Sequence, residues 1–185
     1  MVNGMDLPEP ADALRARTFD ALLDRRALDR AYRTARIILL DAIEAEDATH
    51  DAALSAWRRF GELRDPERFE AWFGRILVNA CRDRLRGRRR LPISIEVVPV
   101  GSLERGWSPD PGERAGTSDV LREALRQLRP EHREVIALRY QADLTVDEIA
   151  LRTSTRPGTV KSRLHYALRH LRTSVEAAEE RSASR

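Results

Sequence analysis

The stretch LTVDEIALRTSTRPGTVKSRL, residues 144–164, decides the fold of the C-terminal part of the chain. Thr145 precedes Glu148 by three residues, a spacing in which the hydroxyl caps a free amide at a helix start and the carboxylate reaches back. We therefore predict a short helix that ends near Arg152, a tight turn, and a second helix over residues 155–171. Two short helices joined in this way are typical of a helix-turn-helix.

The second of these helices has one apolar face and one basic face. Apolar side chains recur there at helical spacing: Val160, Leu164, Ala167, Leu168 and Leu171. The other face holds Arg156, Thr159, Lys161, Ser162, Arg163 and His165. The free amides at a helix start attract phosphate, and Arg and Lys side chains reach base edges in the major groove. A pair of ordinary core helices has a similar pattern, so both interpretations stay open at this point.

Basic residues are concentrated in two places, although the formal net charge is only +3. Six arginines and one acid, Asp83, lie between residues 82 and 90. Eleven basic and six acidic residues lie between residues 121 and 172. Basic surfaces of this kind favour a polyanion such as DNA, whereas an isolated arginine cluster is also typical of a solvated helix face.

The sequence before residue 91 predicts three helices. Apolar residues recur at helical spacing over residues 19–40 and 44–60. Asp65-Pro66 indicates the start of the third helix, because Asp caps free amides and Pro fits the first helical position. That helix has the strongest apolar face of the chain: Phe69, Trp72, Phe73, Ile76, Leu77 and Ala80. We expect most of this face to be core.

Residues 91–117 contain four prolines and four glycines, which excludes a continuous helix there. We predict an all-α protein with two small helical domains joined by this segment as a flexible linker. The first is a three-to-four-helix bundle over residues 19–90. The second is a helix-turn-helix domain over residues 118–172, with Ser118 as its first N-cap. Flexible tails are predicted for residues 1–18 and 173–185.

Several classes of function lack their motifs in this sequence. It has no glycine-rich phosphate loop, nucleophile elbow or metal-ligand spacing, so we expect no enzyme, metal site or cofactor. The single cysteine, Cys81, allows no internal disulfide and lies in a helical pattern typical of a buried or half-buried side chain. Because the sequence has no apolar leader and no stretch of membrane-spanning length, we expect no membrane insertion and a cytoplasmic protein.

Five stretches of the sequence resemble segments of one protein family. In the N-terminal part they are EDATHDAALSAW (46–57) and FEAWFGRILVNACRDRL (69–85). In the C-terminal part they are LRPEHREVIALRY (128–140), LTVDEIA (144–150) and PGTVKSRL (157–164). Together, in this order and with this linker, they resemble the bacterial extracytoplasmic-function (ECF) sigma factors. Two positions depart from the family pattern: Thr153-Ser154 stands for the usual Leu-Gly, and His50 for the usual Gln.

The resemblance implies two DNA-binding sites and a polymerase contact. Region four, the C-terminal domain, would read the −35 promoter element through Arg156, Pro157, Gly158, Thr159, Lys161, Ser162 and Arg163. Region two, the N-terminal domain, would melt and read the −10 element through Trp72, Asn79, Arg82, Arg84 and Arg88. The core polymerase contacts would be Asp47, His50 and Asp51. The implied partners are core RNA polymerase at its clamp and flap, promoter DNA and an anti-sigma protein.

Elementary chemistry supports part of the −10 role without the family. Single-stranded bases are held by aromatic stacking and by a basic groove. Trp72 fits either the core or a base contact, whereas Asn79 and Arg84 lie off the apolar face. By resemblance, the loop over residues 61–68 would pocket a flipped −10 base.

An autonomous helix-turn-helix regulator is the alternative function, and the C-terminal half of the chain fits it equally well. The N-terminal half lacks the alternating strands of a ligand-binding or phosphoacceptor domain.

We also expect the free protein to be compact, with its two domains touching through apolar patches and its basic surfaces covered.

Overall fold

The structure, a computed structural model, describes residues 11–90 and 115–183, and in these ranges it contains α-helices and short 3-10 helices without strands. The all-α fold that the sequence predicts is therefore confirmed. The α-helices are α1 (Ala11–Leu22), α2 (Arg25–Leu39), α3 (Ala42–Arg59), α4 (Phe69–Arg90), α5 (Ala115–Gln127), α6 (Pro130–Tyr140), α7 (Val146–Thr153) and α8 (Pro157–Ala183). Two 3-10 helices, Phe60–Glu62 and Pro66–Arg68, connect α3 to α4.

Helices α1–α4 form an N-terminal bundle around a core of alanines and large apolar residues. Asp24 begins α2, because its carboxylate accepts a 2.8 Å hydrogen bond from the Ala27 amide, and Asp41 begins α3 in the same way. The predicted helix over residues 19–40 is thus two helices, divided at the Asp24 cap. The predicted core of α4 is confirmed, since Phe69, Phe73, Ile76 and Leu77 are all buried.

Helices α5–α8 form a C-terminal bundle around a second apolar cluster that includes Leu125, Val135, Leu138, Ile149 and Val160. The capping box predicted at the start of α7 is present: the Glu148 amide donates to Oγ1 of Thr145, and the Thr145 amide donates to the Glu148 carboxylate at 2.8 Å. These reciprocal bonds satisfy two backbone amides that the helix itself cannot.

Ser154 forms the turn between α7 and α8 in the left-handed conformation, with φ 54° and ψ 44°. Its amide donates to the Ala150 carbonyl and closes α7. The chain thus keeps the turn geometry that glycine adopts freely, at the steric cost of a side chain.

Three helix ends differ from the sequence predictions. α1 extends into the predicted tail at residues 11–18, because Phe19 is buried and Arg15 lies with its guanidinium carbon 5.0 Å from the centre of the Trp57 ring. α5 begins at Ala115, before Ser118, since no proline after Pro111 prevents an earlier start. α8 continues through the predicted C-terminal tail to Ala183, because Glu and Ala favour helix and no Gly or Pro interrupts them. Most of the predicted linker lies outside the described residues.

The two bundles contact each other through α2 with α6 and through α4 with α7. Val78 of α4 belongs to the apolar cluster of the C-terminal bundle, and Ala137 of α6 belongs to that of the N-terminal bundle. Both side chains are fully buried. Each bundle therefore contributes a residue to the core of the other.

Candidate nucleic-acid and polymerase interface

The predicted −35 residues lie together at the exposed start of α8. Arg156, Pro157, Gly158, Lys161 and Ser162 are exposed, while Thr159 and Arg163 are half-buried. Val160 and Leu164 are buried on the opposite face and hold the helix against its own bundle. This arrangement presents the helix start and its basic side chains to solvent, as a major-groove reading helix requires.

The cations of this helix start are available for a new partner. Within the described residues, no carboxylate forms an ion pair with Arg156, Lys161 or Arg163. The same basic face continues through His165, Arg169 and Arg172, which are also exposed. None of these three was predicted as a DNA contact, although they lie 4, 8 and 11 residues after Lys161, a spacing that places them on one helix face.

The predicted −10 residues do not form one open site. Asn79 is exposed and, with Asp51, Ser55 and Arg59, lines a groove of about 380 Å³ between α3 and α4. Trp72 is half-buried, with its ring centre 6.0 Å from that of Phe69. The three arginines, in contrast, are already bound to carboxylates of the same chain.

Arg84 is held by three carboxylates of α3. Its guanidinium donates at 2.6 Å to Asp51, at 2.8 Å to Glu44 and at 3.3 Å to Asp47. Burial lowers the pKa of Arg84, but the hydrogen bonds to Glu44 and Asp51 outweigh it, and the net pKa is raised. The cation is thus permanently charged, and it neutralises much of the acidic face of α3.

Arg88 extends the same pairing by one helical turn. Its guanidinium lies 3.3 Å from the Asp41 carboxylate and 3.6 Å from that of Glu44. Because Arg84 and Arg88 are i, i+4 on α4, they face one side of α3 together. The sequence analysis did not identify Asp41 and Glu44 as partners, since the pairs join residues about 40 positions apart.

Arg82 points to the other side of α4, towards the C-terminal bundle. Its guanidinium donates to both Glu134 carboxylate oxygens, at 3.1 and 2.6 Å, and to the Thr153 carbonyl at 3.1 Å. Burial raises the pKa of Glu134, and the hydrogen bond from Arg82 lowers it only in part. This ion pair therefore joins α4 to α6 across the two bundles.

The predicted polymerase contacts lie on an exposed face of α3. Asp47, His50 and Asp51 are all exposed there. Two large apolar side chains share the face and are also exposed, Ile43 at 64% and Leu54 at 40%. A mixed acidic and apolar surface of this kind is typical of a protein contact. Ile43 and Leu54 were not predicted as part of this face from the sequence, because the face was assigned from its acidic residues.

Within residues 11–90 and 115–183, no group of His, Cys, Asp and Glu is arranged to hold a metal ion. In the same ranges, none of the helices combines the length and apolar character needed to cross a membrane. Cys81 is completely buried, as predicted, and burial raises the pKa of its thiol to about 12.

A helix-turn-helix with an exposed basic helix start, joined to a bundle with an exposed acidic face, defines a DNA-binding protein that also carries a protein-contact surface. Residues 23–91 match the family described as Sigma-70 region 2, and residues 118–171 match Sigma-70, region 4. The ECF RNA polymerase sigma factor SigL of Mycobacterium tuberculosis is 33% identical over 174 residues, which are 90% of this chain and 93% of SigL. The chain therefore belongs to the ECF RNA polymerase sigma factors.

Other relatives agree with this assignment. The RNA polymerase sigma-E factor of Streptomyces avermitilis is 28% identical over 155 residues, which are 84% of either chain. The sigma factor RpoE of Bartonella quintana, solved with the anti-sigma factor NepR, has a TM-score of 0.59 at 22% identity. CnrH, solved with the cytosolic domain of CnrY, has a TM-score of 0.60 at 23% identity. Both likenesses cover 89% of this chain and 96% of the solved chain, and they show the same fold.

Proposed function

We propose that this protein binds core RNA polymerase and directs it to a specific set of promoters. The observation that carries the proposal is the pairing of region two and region four in one chain, with Arg156, Gly158 and Lys161 exposed at the region-four helix start. It acts as an initiation factor and not as an enzyme, and it works in the cytoplasm, where promoter DNA and polymerase are found.

The −35 element is read by the start of α8. Arg156, Lys161 and Arg163 supply the cations, Thr159 and Ser162 short hydroxyls, and Pro157 and Gly158 a narrow helix start that approaches the phosphate backbone. Gly158 has no atom within 4 Å of the position where a Cβ would lie, so its face is free for DNA. Arg163 has the reach to read a guanine, and Lys161 the exposure to bind phosphate.

The −10 element is bound by region two after strand opening. Asn79 supports this role best, because it is exposed in a polar groove between α3 and α4. Trp72 contributes its exposed edge. Arg84 and Arg88 bind DNA only if their carboxylate partners on α3 release them, so we assign them first to holding α3 against α4.

The exposed face of α3 docks on the polymerase clamp through Asp47, His50 and Asp51, with Ile43 and Leu54 adding apolar area. Region four docks on the polymerase flap. The RpoE structure from Bartonella quintana contains an anti-sigma factor. By analogy we infer that an anti-sigma protein holds this chain as well.

In-vitro transcription with core polymerase tests the function. Holoenzyme made from this protein should initiate at a defined set of start sites on genomic fragments, and core alone should not. The autonomous regulator predicts the opposite: specific binding to duplex operator without core, and no change in the start sites that core selects. That result would remove the sigma-factor proposal.

A further inference from the structure

Helix α1 lies outside the segment that matches Sigma-70 region 2, which begins at residue 23. One buried side chain of α1, Phe19, fixes the helix to the N-terminal bundle. Its ring centre lies 5.2 Å from the ring centres of Trp57 and Phe60. It lies 5.9 Å from the ring centre of Phe69, and all three contacts are edge-to-face, as aromatic quadrupoles favour. Phe19 therefore fills a cage made of Trp57, Phe60 and Phe69, here called the aromatic cage.

A second contact joins α1 to the end of α3. Nη2 of Arg15 donates a 3.1 Å hydrogen bond to the Trp57 carbonyl, and its guanidinium carbon lies 5.0 Å from the centre of the Trp57 ring. Trp57 is in the last turn of α3, where the helix dipole favours a cation. Because Arg15 and Phe19 are four residues apart, one face of α1 holds both the backbone and the ring of Trp57.

The aromatic cage includes both ends of the segment that joins α3 to α4. This segment, here called the α3–α4 connection, covers residues 60–68 and contains the two 3-10 helices. Phe60 begins it and Phe69 follows it, so the ring of Phe19 contacts both ends. Its backbone hydrogen bonds are local, for example from the Leu63 amide to the Phe60 carbonyl at 3.1 Å. Such bonds shape the connection but do not fix its position on the bundle, whereas the contact with Phe19 does.

The aromatic cage also contacts a residue that we assign to the −10 element. The ring centre of Phe69 lies 6.0 Å from that of Trp72, which is half-buried against the N-terminal core. The position of the Trp72 indole therefore depends on Phe69, and that of Phe69 depends on the ring of Phe19.

The end of α1 forms part of an open groove beside the α3–α4 connection. Ala21 and Leu22 line this groove of about 460 Å³ together with Pro66 and Glu67 of the connection. The width of the groove is thus set by the distance between α1 and the second 3-10 helix. A shift of α1 would change the shape of this surface as well as the support of Trp72.

We propose that α1 is a positioning element for −10 recognition, in which Phe19 and Arg15 fix the α3–α4 connection and Trp72 in the geometry that distinguishes one −10 base from another. The two side chains act through their neighbours and are positioning residues, not DNA contacts. A binding site discriminates only when its groups are held to within about 0.5 Å, which a loosely supported connection would not achieve. The proposal rests on the proposed function of region two in binding the −10 element.

The variant Phe19→Leu tests the proposal in the full-length protein. Leucine keeps an apolar side chain in the aromatic cage but has no ring to contact three aromatic neighbours, so the bundle should fold with a looser connection. Arg15→Ala is the second variant, because Arg15 is exposed and its loss should not unfold the bundle. The matched control is Leu14→Ala, since Leu14 is on the same helix and 59% exposed. Circular dichroism checks that all three variants are helical, and Arg15→Ala serves alone if Phe19→Leu unfolds.

The measured quantity is the ratio of initiation by holoenzyme from two templates that differ at one base pair of the −10 element. The promoter is one found by mapping the start sites that the wild-type holoenzyme selects. Phe19→Leu should lower this ratio by about fivefold and Arg15→Ala by about twofold, because a mismatch is penalised only when the contacts are correctly placed. Leu14→Ala should give the wild-type ratio. A merely structural role would reduce initiation from both templates alike and leave the ratio unchanged.

Affinity for core polymerase and the preference for the −35 element should not change in the same variants. The residues assigned to those contacts lie on the exposed face of α3 and on α8. An unchanged −10 ratio in the folded variants would overturn the proposal, and so would a loss of core binding as large as the loss in the ratio. A wild-type protein that initiates at no defined start site with core would instead overturn the proposed function, and this proposal with it.

Discussion

Nη2 of Arg84 donates a 2.6 Å hydrogen bond to the carboxylate of Asp51, so a predicted DNA contact and a predicted polymerase contact are bound to each other. The same guanidinium also binds Glu44 and Asp47. A residue engaged by three carboxylates stabilises the α3–α4 packing and fixes the positions of the acids that polymerase would meet. Any test of either predicted contact must therefore separate loss of binding from loss of this cluster.

Arg84→Ala should lower the free energy of unfolding by about 1–2 kcal/mol, because three carboxylates lose their shared partner in a site that is half open to solvent. Urea denaturation of the free protein measures this change. The control is Arg86→Ala, since Arg86 is 63% exposed and pairs with nearby Asp83, so its loss should change stability little. Equal stability of the two variants would mean that the Arg84 cluster is not structural.

Asp51→Asn should weaken holoenzyme assembly while leaving the fold intact. The substitution keeps the side-chain shape and removes one of three anionic partners of Arg84, so the remaining carboxylates still hold the guanidinium. Pull-down of core polymerase with increasing salt measures the effect. Glu46→Asn, at another exposed acid of α3, is the control, and normal core binding by a folded Asp51→Asn protein would count against the assigned docking face.

Arg163→Ala and Lys161→Ala should weaken promoter binding in different ways. If Arg163 reads a guanine, its loss costs about 1–3 kcal/mol and relaxes the preference at one −35 position. If Lys161 binds phosphate, its loss weakens all sequences alike and reduces the salt dependence by about one phosphate contact. Binding of holoenzyme to promoter variants at several salt concentrations separates the two. Unchanged binding after both substitutions would exclude this surface.

Local sequence patterns predicted the parts of the fold that depend on neighbouring residues. The apolar face of α4 from Phe69 to Leu77 and the Thr145–Glu148 capping box each lie within a few residues, where helical spacing fixes the geometry. The same reasoning missed residues 11–18 of α1, because the position of this helix depends on Phe19 meeting Trp57 and Phe60, with ring centres 5.2 Å apart in both pairs. Contacts at that sequence distance leave no periodic pattern.

Local sequence patterns did not predict which residues pair with the arginine cluster of α4. Arg82, Arg84 and Arg88 were assigned to DNA from their local density and the family resemblance. Their partners in the structure are the carboxylates of Asp41, Glu44, Asp51 and Glu134. The hydrogen-bonded pairs Arg84–Asp51, Arg84–Glu44 and Arg82–Glu134 join residues that are 33, 40 and 52 positions apart in the sequence. Composition gives the sign of a surface charge, but the partners that compensate it depend on how the helices pack.

Ser154→Gly should stabilise the protein by about 0.5–1 kcal/mol, because glycine adopts the left-handed conformation without the contact between Cβ and the backbone. Thermal or urea unfolding measures the change. Ser174→Gly is the matched control, since Ser174 lies inside α8 and the same substitution should destabilise a helix interior. Destabilisation at both positions would show that the turn is not strained.

The Arg82–Glu134 pair should respond unequally to the loss of either partner. The Glu134 side chain is 7% exposed and that of Arg82 is 31% exposed, so Arg82→Ala leaves the more deeply buried charge without its hydrogen-bonded partner. We expect Arg82→Ala to weaken the contact between the two bundles by about 2 kcal/mol at neutral pH, and Glu134→Gln to weaken it less. The sign of the pH dependence follows from the pKa of Glu134. Burial raises this pKa above the ordinary value of 4.5, and without the hydrogen bond from Arg82 it should rise further.

A raised pKa means that the neutral carboxyl of Glu134 favours the contact between the two bundles. Its stabilisation is fully present below the ordinary pKa and is lost as the pH rises through the raised one. The deficit of Arg82→Ala relative to wild type should therefore shrink as the pH falls from neutral towards the ordinary pKa of 4.5. Burial lowers the pKa of His132, but His132 is present in both proteins and its contribution cancels in the difference. Small-angle X-ray scattering across this pH range gives the radius of gyration of both proteins, and the difference between them reports how much the contact is weakened in Arg82→Ala. A difference that is constant or grows on acidification would show that Glu134 is not a buried partner of Arg82.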